Sequence, residues 1–405
     1  MASVLDKSGA QAAQSGSAFA KILNDERNRS IFYQILVFGI LAWTAWFLIS
    51  NTASNLEARG METGLGFLGT TAGFSIAWSI IPYEPTDTYG YVFLVGILNT
   101  LVVSLISIIL TTVLGFFIGI LRLSKNWLIS TMAAWYVEII RNTPLLLQIL
   151  FWYLGVFSLL PRPKQSWDLF GTEMFFLNNR GFYFPEPIPG ELFWLTGITI
   201  VAAIVGAYLF AITAKKRFIQ TGQRMKNLGW MVLGIVVGAP VLVFLVTGSP
   251  LAFDYPELKG FNYKGGGTVP PTFCALLLAL VIYHASYIAE AVRAGILSVN
   301  KGQTEASYSL GLRPTWTMRL IIIPQAMRAI VPPLISTWMT VVKNSSLAIA
   351  IGYPDLVAVY MQTSLNQSGH AIEIVGMVML FYSFVSLVIS GALNYYNSLV
   401  QIKER

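Results

Sequence analysis

PTFCALLLALVIYHASYIAEAVRAGILSVNKGQTEASYSLGLRPTWTMRLIIIPQAMRAIVPP, residues 271–333, is the stretch that decides the fold. Its first part, 271–297, is an apolar run. A membrane span needs about 20 predominantly apolar residues, because a helix rises about 1.5 Å per residue through a hydrocarbon core about 30 Å thick. Residues 298–324 then turn polar and charged, with Gly311, Pro314 and Pro324 as punctuation, before a second apolar run begins at 325. The unit is span, loop, span.

Working outward, the same criterion gives eight spans: roughly 31–50, 91–121, 136–160, 192–214, 228–247, 271–297, 325–349 and 372–398. The second is long enough to tilt or to include an interfacial turn. The third is the weakest, because Glu138 and Arg141 sit near its start and Pro144 lies inside it. Pro332 and Pro333 interrupt the seventh. Breaks of this kind are tolerated only where neighbouring helices or a wet cavity satisfy the freed backbone groups. The predicted fold is an all-α polytopic membrane protein with about eight transmembrane helices.

Composition agrees. The chain of 405 residues is 55% hydrophobic and 11% charged, against roughly 25% charged in soluble proteins. So much apolar surface cannot be hidden in one aqueous core. The net charge of +7 does not point to nucleic acid, because the basic residues fall in short clusters between apolar segments. One cysteine, Cys274, excludes an internal disulfide and a cysteine-based metal site, and reads as inert packing. Two histidines, His284 and His370, are too few and too far apart for a zinc motif. Residues 1–30 are polar, lack a signal-peptide apolar core, and read as a cytoplasmic tail.

Cytoplasmic loops of membrane proteins carry an excess of Lys and Arg. With the N-terminus inside, sixteen basic residues fall on the cytoplasmic side: Lys7, Lys21, Arg27, Arg29, Arg122, Lys125, Lys215, Lys216, Arg217, Arg224, Lys226, Lys301, Arg313, Arg319, Lys403 and Arg405. Six fall outside: Arg59, Arg162, Lys164, Arg180, Lys259 and Lys264. This bias places both termini in the cytoplasm and makes 51–90, 161–191 and 248–270 external. Their Pro, Gly, Trp and Tyr content suits short ordered interfacial loops.

The loop after the sixth span is then cytoplasmic. It reads as two short helices around Gly311. Thr304 can cap the first, with Glu305 favourable in its first turn. Gly311 is a plausible residue just past its end. Pro314 sits near the start of the second, where proline is tolerated, and Pro324 marks the turn into the seventh span. Such a knob is either an interfacial connector or a helix that fits a partner's groove. The chain has no G-x-x-x-x-G-K-[ST] phosphate loop, no H-E-x-x-H and no G-x-S-x-G, so an enzyme reading has little support.

Glu305-Ala306-Ser307, then Gly311, then Ile321, Ile323 and Pro324, resembles the EAA loop of ABC importer permeases, E-A-A-x3-G-x9-I-x-L-P, with Ser307 and Ile323 as mild departures. EAVRAGILSVNKGQ and IPQAMRAIVPP on either side are similar to the amino-acid branch of that family, the histidine/glutamine-type permeases. So are NTLVVSLIS at 99–107 and VEIIRNTPLLLQ at 137–148. The added leading span and the insertion 161–270, which holds two extra spans, resemble the larger Q-type permease of general L-amino acid transporters.

The resemblance implies an ABC importer (type I) permease core with extra peripheral spans, in a bacterial inner membrane. Its parts would be the tail 1–30, the leading span and outer loop 31–90, core segments 91–160 and 271–405, the insertion 161–270, and a coupling loop at 302–324. The implied coupling residues are Glu305, Ala306, Ser307, Gly311, Ile321 and Pro324. The implied partners are ABC ATPase subunits carrying ATP and Mg, a second related permease, a periplasmic amino-acid-binding protein, membrane lipid and an amino-acid substrate. No cofactor is expected in this chain itself.

Charges within spans cost about 2.5–3.5 kcal/mol on insertion scales, so each needs a partner or a function. Glu138/Arg141 and Glu290/Arg293 have pairing spacing. They are either ion pairs near the cytoplasmic interface or, for Glu290 above all, lining for the path of a substrate ammonium. Lys343-Asn344-Ser345-Ser346 is either a snorkelling lysine with hydroxyls bonded back to the helix or a polar patch for a substrate carboxylate. The family's K-x-[ST]-S-L element is matched by Lys343, Ser345, Ser346 and Leu347. His284 reads as an interhelical polar group, and Asn99 with Thr100 as helix glue or cavity lining. Two competing readings stand beside the permease: an ion-coupled secondary transporter using Glu290, His284 and Lys343 as a relay, and a membrane transferase.

Overall fold

The computed structural model describes residues 26–58, 64–223 and 225–400. The tail expected over 1–30 lies outside the described residues as far as residue 25, as do Lys7, Lys21, Arg59, Arg224, Lys403 and Arg405 of the charge count; from Glu26 the chain is helical. The long helices are α1 (Glu26–Ala58), α2 (Tyr89–Arg122), α3 (Trp127–Asn142) and its short continuation α4 (Leu145–Leu150), and α5 (Phe193–Thr221). They continue with α6 (Leu228–Leu233) running through a π turn into α7 (Ala239–Val246), then α8 (Pro271–Leu297). The loop helix α9 (Lys301–Ser309) and α10 (Pro314–Thr317) lead into α11 (Ile323–Asn344), and the short α12 (Leu365–Ser368) precedes α13 (Ala371–Val400). Among the described residues, seven helices are long and apolar enough to cross a membrane, and a bent pair makes an eighth.

The bent pair is the third expected span. It is not one helix over 136–160 but two segments, Trp127–Asn142 and Leu145–Leu159, meeting at 102°. Pro144 has no N–H to give and disfavours helical backbone at Thr143. Gln148 repairs the corner: its Nε2 donates to the carbonyls of Ile140 and Thr143, both at 3.1 Å.

The seventh span corrects the reading in the other direction. Helix α11 continues unbroken through Pro332 and Pro333. The two lost ladder bonds fall to the carbonyls of Arg328 and Ala329, on an exposed turn. Pro324 does not mark a turn either. A π segment, Met318–Ile322, precedes it and absorbs the missing N–H, so Pro314–Ile351 is one continuous helical stretch.

Helices α2 and α8 form the centre. They approach closely because α2 presents small residues where they meet. A Cβ on Gly115 would lie 2.6 Å from Ile288 Cβ, and one on Gly119 would lie 2.8 Å from Val292 Cβ. Thr111 adds a hydroxyl bond to the Val281 carbonyl at 3.0 Å. Without a hydrophobic drive between helices in lipid, close packing of this small-xxx-small kind holds the pair together. Trp338 on α11 donates to Thr112 at 3.0 Å, and Tyr136 on α3 donates to the Ile282 carbonyl at 2.7 Å.

After α11 the chain tightens into a 3-10 turn, Ser345–Ile351, reverses at Gly352 and resumes as a π segment, Val357–Ser364. Asn99 and Thr100 are the glue here. Asn99 Nδ2 donates to the Pro354 carbonyl (2.8 Å), its own carbonyl accepts from Tyr353 (2.9 Å), and Thr100 Oγ1 accepts from the Leu356 N–H (2.9 Å). Irregular backbone beside spans requires such partners.

The insertion is more structured than loops. Strands β1 (Trp167–Asp168), β2 (Phe176–Asn178) and β3 (Gly181–Phe184) are followed by two small pairs, β4 (Glu186–Pro189) with β5 (Leu251–Asp254) and β6 (Glu257–Lys259) with β7 (Asn262–Lys264). Strand β8 (Gly267–Val269) returns to β3 and completes an antiparallel sheet in the order β1-β2-β3-β8. The Glu173 N–H donates to Asp168 (2.7 Å), and this backbone bond holds the Asp168 carboxyl below its ordinary range. The sheet caps the N-terminal end of α8, and α9 follows its C-terminal end. The sheet and the Glu305 loop therefore lie at opposite ends of a helix about 40 Å long. The extra spans α5 and α6–α7 pack chiefly on each other, burying Ala203, Ala207 and Pro240.

Candidate functional site

The loop at 300–324 is a helical hairpin with a defined shape. Helix α9 starts earlier than expected: Asn300, not Thr304, is its cap, accepting the Gly302 N–H at 2.8 Å. Thr304 and Glu305 lie inside the helix. Its end is as expected. Gly311 has φ +74, its N–H donates to the Tyr308 carbonyl (2.9 Å), and the Leu312 N–H donates to the Ser307 carbonyl (3.1 Å). These two bonds make a Schellman ending, which needs a left-handed residue at the Gly311 position.

Ser307 ties the two arms together. It is buried, and its hydroxyl donates to the Thr304 carbonyl at 2.7 Å and to Thr317 Oγ1 at 3.0 Å. The Thr317 side chain is buried as well. With its inner face closed this way, the hairpin turns an apolar rim outward: Tyr308, Leu310 (80% exposed), Trp316 and Leu320. Glu305, Ala306 and Pro324 are placed by the same two arms; the first two lie on α9 and Pro324 at the start of α11, with Ile321 in the π segment between.

Glu290 is already engaged. Its carboxylate pairs with Arg293 (Nη2 to Oε1, 2.6 Å) and with Arg122 at the end of α2. It thus joins the C-terminal end of α2 to the C-terminal part of α8. The expected Glu138–Arg141 pair does not form. Glu138 is exposed with no ion pair among the described residues, and Arg141 instead lies 5.0 Å over the Tyr287 ring. The i, i+3 spacing allowed the pair, but the helix ends one residue after Arg141 and Tyr287 offers it an aromatic face.

His284 is an interhelical polar group: Nδ1 lies 2.9 Å from the Leu280 carbonyl and Nε2 lies 3.2 Å from Asn344 Nδ2. Ser345 and Ser346 bond back to the carbonyls of Val342 (2.7 Å) and Lys343 (2.6 Å). Lys343 is exposed and lines a cavity of about 470 Å³ with Met339, Tyr382, Ser383, Ser386 and Leu387. The partners from α13 were missed from sequence. Their signal was faint: Ser383, Ser386 and Ser390 recur at helical spacing within an apolar run. Gln148 and the fully buried Asp355, whose Oδ1 accepts the Ala358 N–H at 2.9 Å, were also missed.

The chain resembles known proteins over nearly all of its length. Residues 111–400 match the family described as "Binding-protein-dependent transport system inner membrane component". The "General L-amino acid transport system permease protein AapQ" of Rhizobium johnstonii is 48% identical over 390 residues, covering 96% of each chain. The "Putative amino-acid ABC transporter permease protein YhdX" of Escherichia coli is 46% identical over 385 residues, covering 93% of this chain and 95% of the relative. The "Glutamate/glutamine/aspartate/asparagine transport system permease protein BztB" of Rhodobacter capsulatus is 39% identical, covering 97% and 98%.

Proposed function

The chain belongs to the inner-membrane components of binding-protein-dependent transport systems, and from that premise we propose that its Glu305 hairpin is where a partner ATPase drives it. It is an amino-acid ABC permease subunit. The observation that carries the proposal is continuity. The second arm of the hairpin and the seventh span are one helical stretch, Pro314–Ile351. From Pro314 to Lys343 that is about 44 Å of helix. A displacement of the hairpin is delivered as a rigid tilt to the Lys343 cavity.

In this mechanism ATP and Mg reside on the ATPase subunits. Their closure moves the exposed rim of Tyr308, Leu310 and Trp316, seated in a groove. Ser307–Thr317 and the Gly311 ending keep the hairpin from folding flat. The seventh span then exposes the polar patch Lys343-Asn344-Ser345-Ser346 alternately to the two faces. The Lys343 ammonium receives the α-carboxylate of the amino acid, and a second permease closes the other side of the path. A binding protein delivers substrate to the face that carries the small sheet. Transport runs inward and changes no bond in the substrate. The name of one relative speaks for glutamate, glutamine, aspartate and asparagine among the cargo, and that of another for L-amino acids in general.

Glu290, Arg122, Arg293 and Glu138 fall outside the path in this mechanism. A carboxylate holding two guanidiniums has little left for a substrate ammonium. The same engagement removes Glu290 from an ion-coupled relay with His284 and Lys343. The test is site-directed crosslinking in the assembled transporter. Glu305→Cys should crosslink to the ATPase, and Lys264→Cys on the opposite face should not. Equal yields, or none from Glu305→Cys, would refute docking at the hairpin.

A further inference from the structure

The insertion carries a cationic cavity of about 750 Å³ whose lining includes Leu160, Arg162, Lys164, Asn179, Arg180 and Phe261. It has no carboxylate in its wall. None of its three cations forms an ion pair with another described residue. Lys164 lies 5.0 Å over the Phe261 ring, which leaves its ammonium directed by an aromatic face and not by an opposite charge.

The walls are fixed by hydrogen bonds. The Asn179 N–H donates to the Pro161 carbonyl at 3.0 Å, and the Arg180 N–H donates to Asn178 Oδ1 at 2.8 Å. Asn178 Nδ2 donates to Ser166 at 3.0 Å, which joins the strand-borne wall to the turn that bears Arg162 and Lys164. The side-chain oxygen of Asn179 is buried without a partner.

Position decides the ligand. Leu159 is the last residue of the bent membrane-crossing segment and is 77% exposed, and Leu160 already lines the cavity. Phe261, 78% exposed, forms the rim. A cationic floor within one residue of a span, edged by exposed apolar side chains, suits a molecule with an anionic head and a hydrocarbon tail. Guanidinium groups match phosphate oxygens in geometry as well as charge.

We propose that this cavity binds the phosphodiester headgroup of an anionic phospholipid in the leaflet facing the small sheet. Arg162, Lys164 and Arg180 take the phosphate, and the acyl chains leave past Leu159 and Phe261. The inference rests on the insertion alone and stands apart from the docking of the ATPase. Lipid bound here pins the outer sheet to the bilayer at the end of the bent span, which gives the insertion a role of its own.

The test uses the assembled transporter in detergent with equal amounts of phosphatidylglycerol and phosphatidylcholine, and native mass spectrometry to read retained lipid. The wild type should retain phosphatidylglycerol over phosphatidylcholine. The Arg162→Ala/Lys164→Ala/Arg180→Ala variant should lose that preference by at least about tenfold, since each cation near an anionic surface contributes measurably. Lys259→Ala/Lys264→Ala, on the same face outside the cavity, should keep it. If the triple variant does not assemble, Arg162→Gln/Arg180→Gln serves in its place. Excess inorganic phosphate should not displace the lipid; displacement would reassign the site to free phosphate and overturn the proposal. Equal retention of both lipids by the wild type would overturn it, as would an unchanged preference in the cavity variants. An unchanged preference with lost stimulation by the binding protein would instead assign the cavity to a protein partner.

Discussion

Replacing Gly311 separates the shape of the hairpin from its surface. At φ +74 a residue with a Cβ costs about 1–2 kcal/mol relative to glycine. A Cβ there would meet nothing within 4 Å, so the cost of Gly311→Ala is conformational and not steric. The variant should insert and fold in the membrane as the wild type does. Its hairpin should spend most of its time outside the Schellman geometry, so the affinity for the ATPase should fall by about 5–30-fold, the factor that 1–2 kcal/mol represents. Gly311→Asn is the control. Asparagine visits the left-handed region more readily, so it should lose much less, although its side chain is the larger. The assay is titration of the detergent-solubilised permease with labelled ATPase subunits. Equal loss in both variants would mean that bulk at this position matters, and the conformational reasoning would be refuted; no loss in either would mean that the hairpin shape is irrelevant to binding.

Other perturbations read other parts of the structure. Gly119→Val drives a branched side chain into Val292 and should destabilise the α2–α8 pair by about 1–3 kcal/mol, seen as a lower melting temperature in detergent. Gln148→Leu leaves the Thr143 carbonyl unpaired at the bend and the Ile140 carbonyl with only the Thr143 N–H, and should cost about 1–3 kcal/mol, measured the same way, with Gln148→Glu no better because it also lacks the donor. Glu290→Gln releases two guanidiniums and should lower uptake and basal ATP turnover in parallel; a selective loss of uptake would return Glu290 to the substrate path. Lys343→Met should raise the KM for amino-acid uptake while leaving basal ATP turnover unchanged, and a proportional loss of both would remove Lys343 from the path.

The spans were legible because length and apolarity decide them locally: 89–122, 271–297 and 371–396 stand out by composition alone. Gly311 was legible because glycine between two short amphipathic runs has one dominant use. What escaped the sequence depends on distant partners. Strand β3 pairs with β8 although residues 184 and 267 are separated by two spans, and each strand is too short to show an alternating pattern. Glu290 had a visible neighbour in Arg293, but its second partner, Arg122, lies 168 residues away. Asn99 and Thr100 left glue and cavity lining equally open until Tyr353, Pro354 and Leu356 were placed beside them. The cap of α9 lies one turn before Thr304, because the Asn300 side chain takes the Gly302 N–H and starts the helix there. The prolines misled at three places: at Pro144 the sequence showed a weak span and not a corner, at Pro324 a π turn preserved a helix that proline was expected to end, and at Pro332 and Pro333 the helix continues where an interruption was expected.

A partner's ATP hydrolysis, delivered through the Glu305 hairpin, is what should move amino acids through this subunit. Uptake of labelled amino acid into proteoliposomes holding the assembled transporter, its binding protein and ATP, with proton and sodium gradients collapsed, tests this most directly. Uptake should persist without the gradients and should fall with Gly311→Ala in step with ATPase affinity. Uptake that stops when the gradients are collapsed, or that is indifferent to the hairpin, would contradict it.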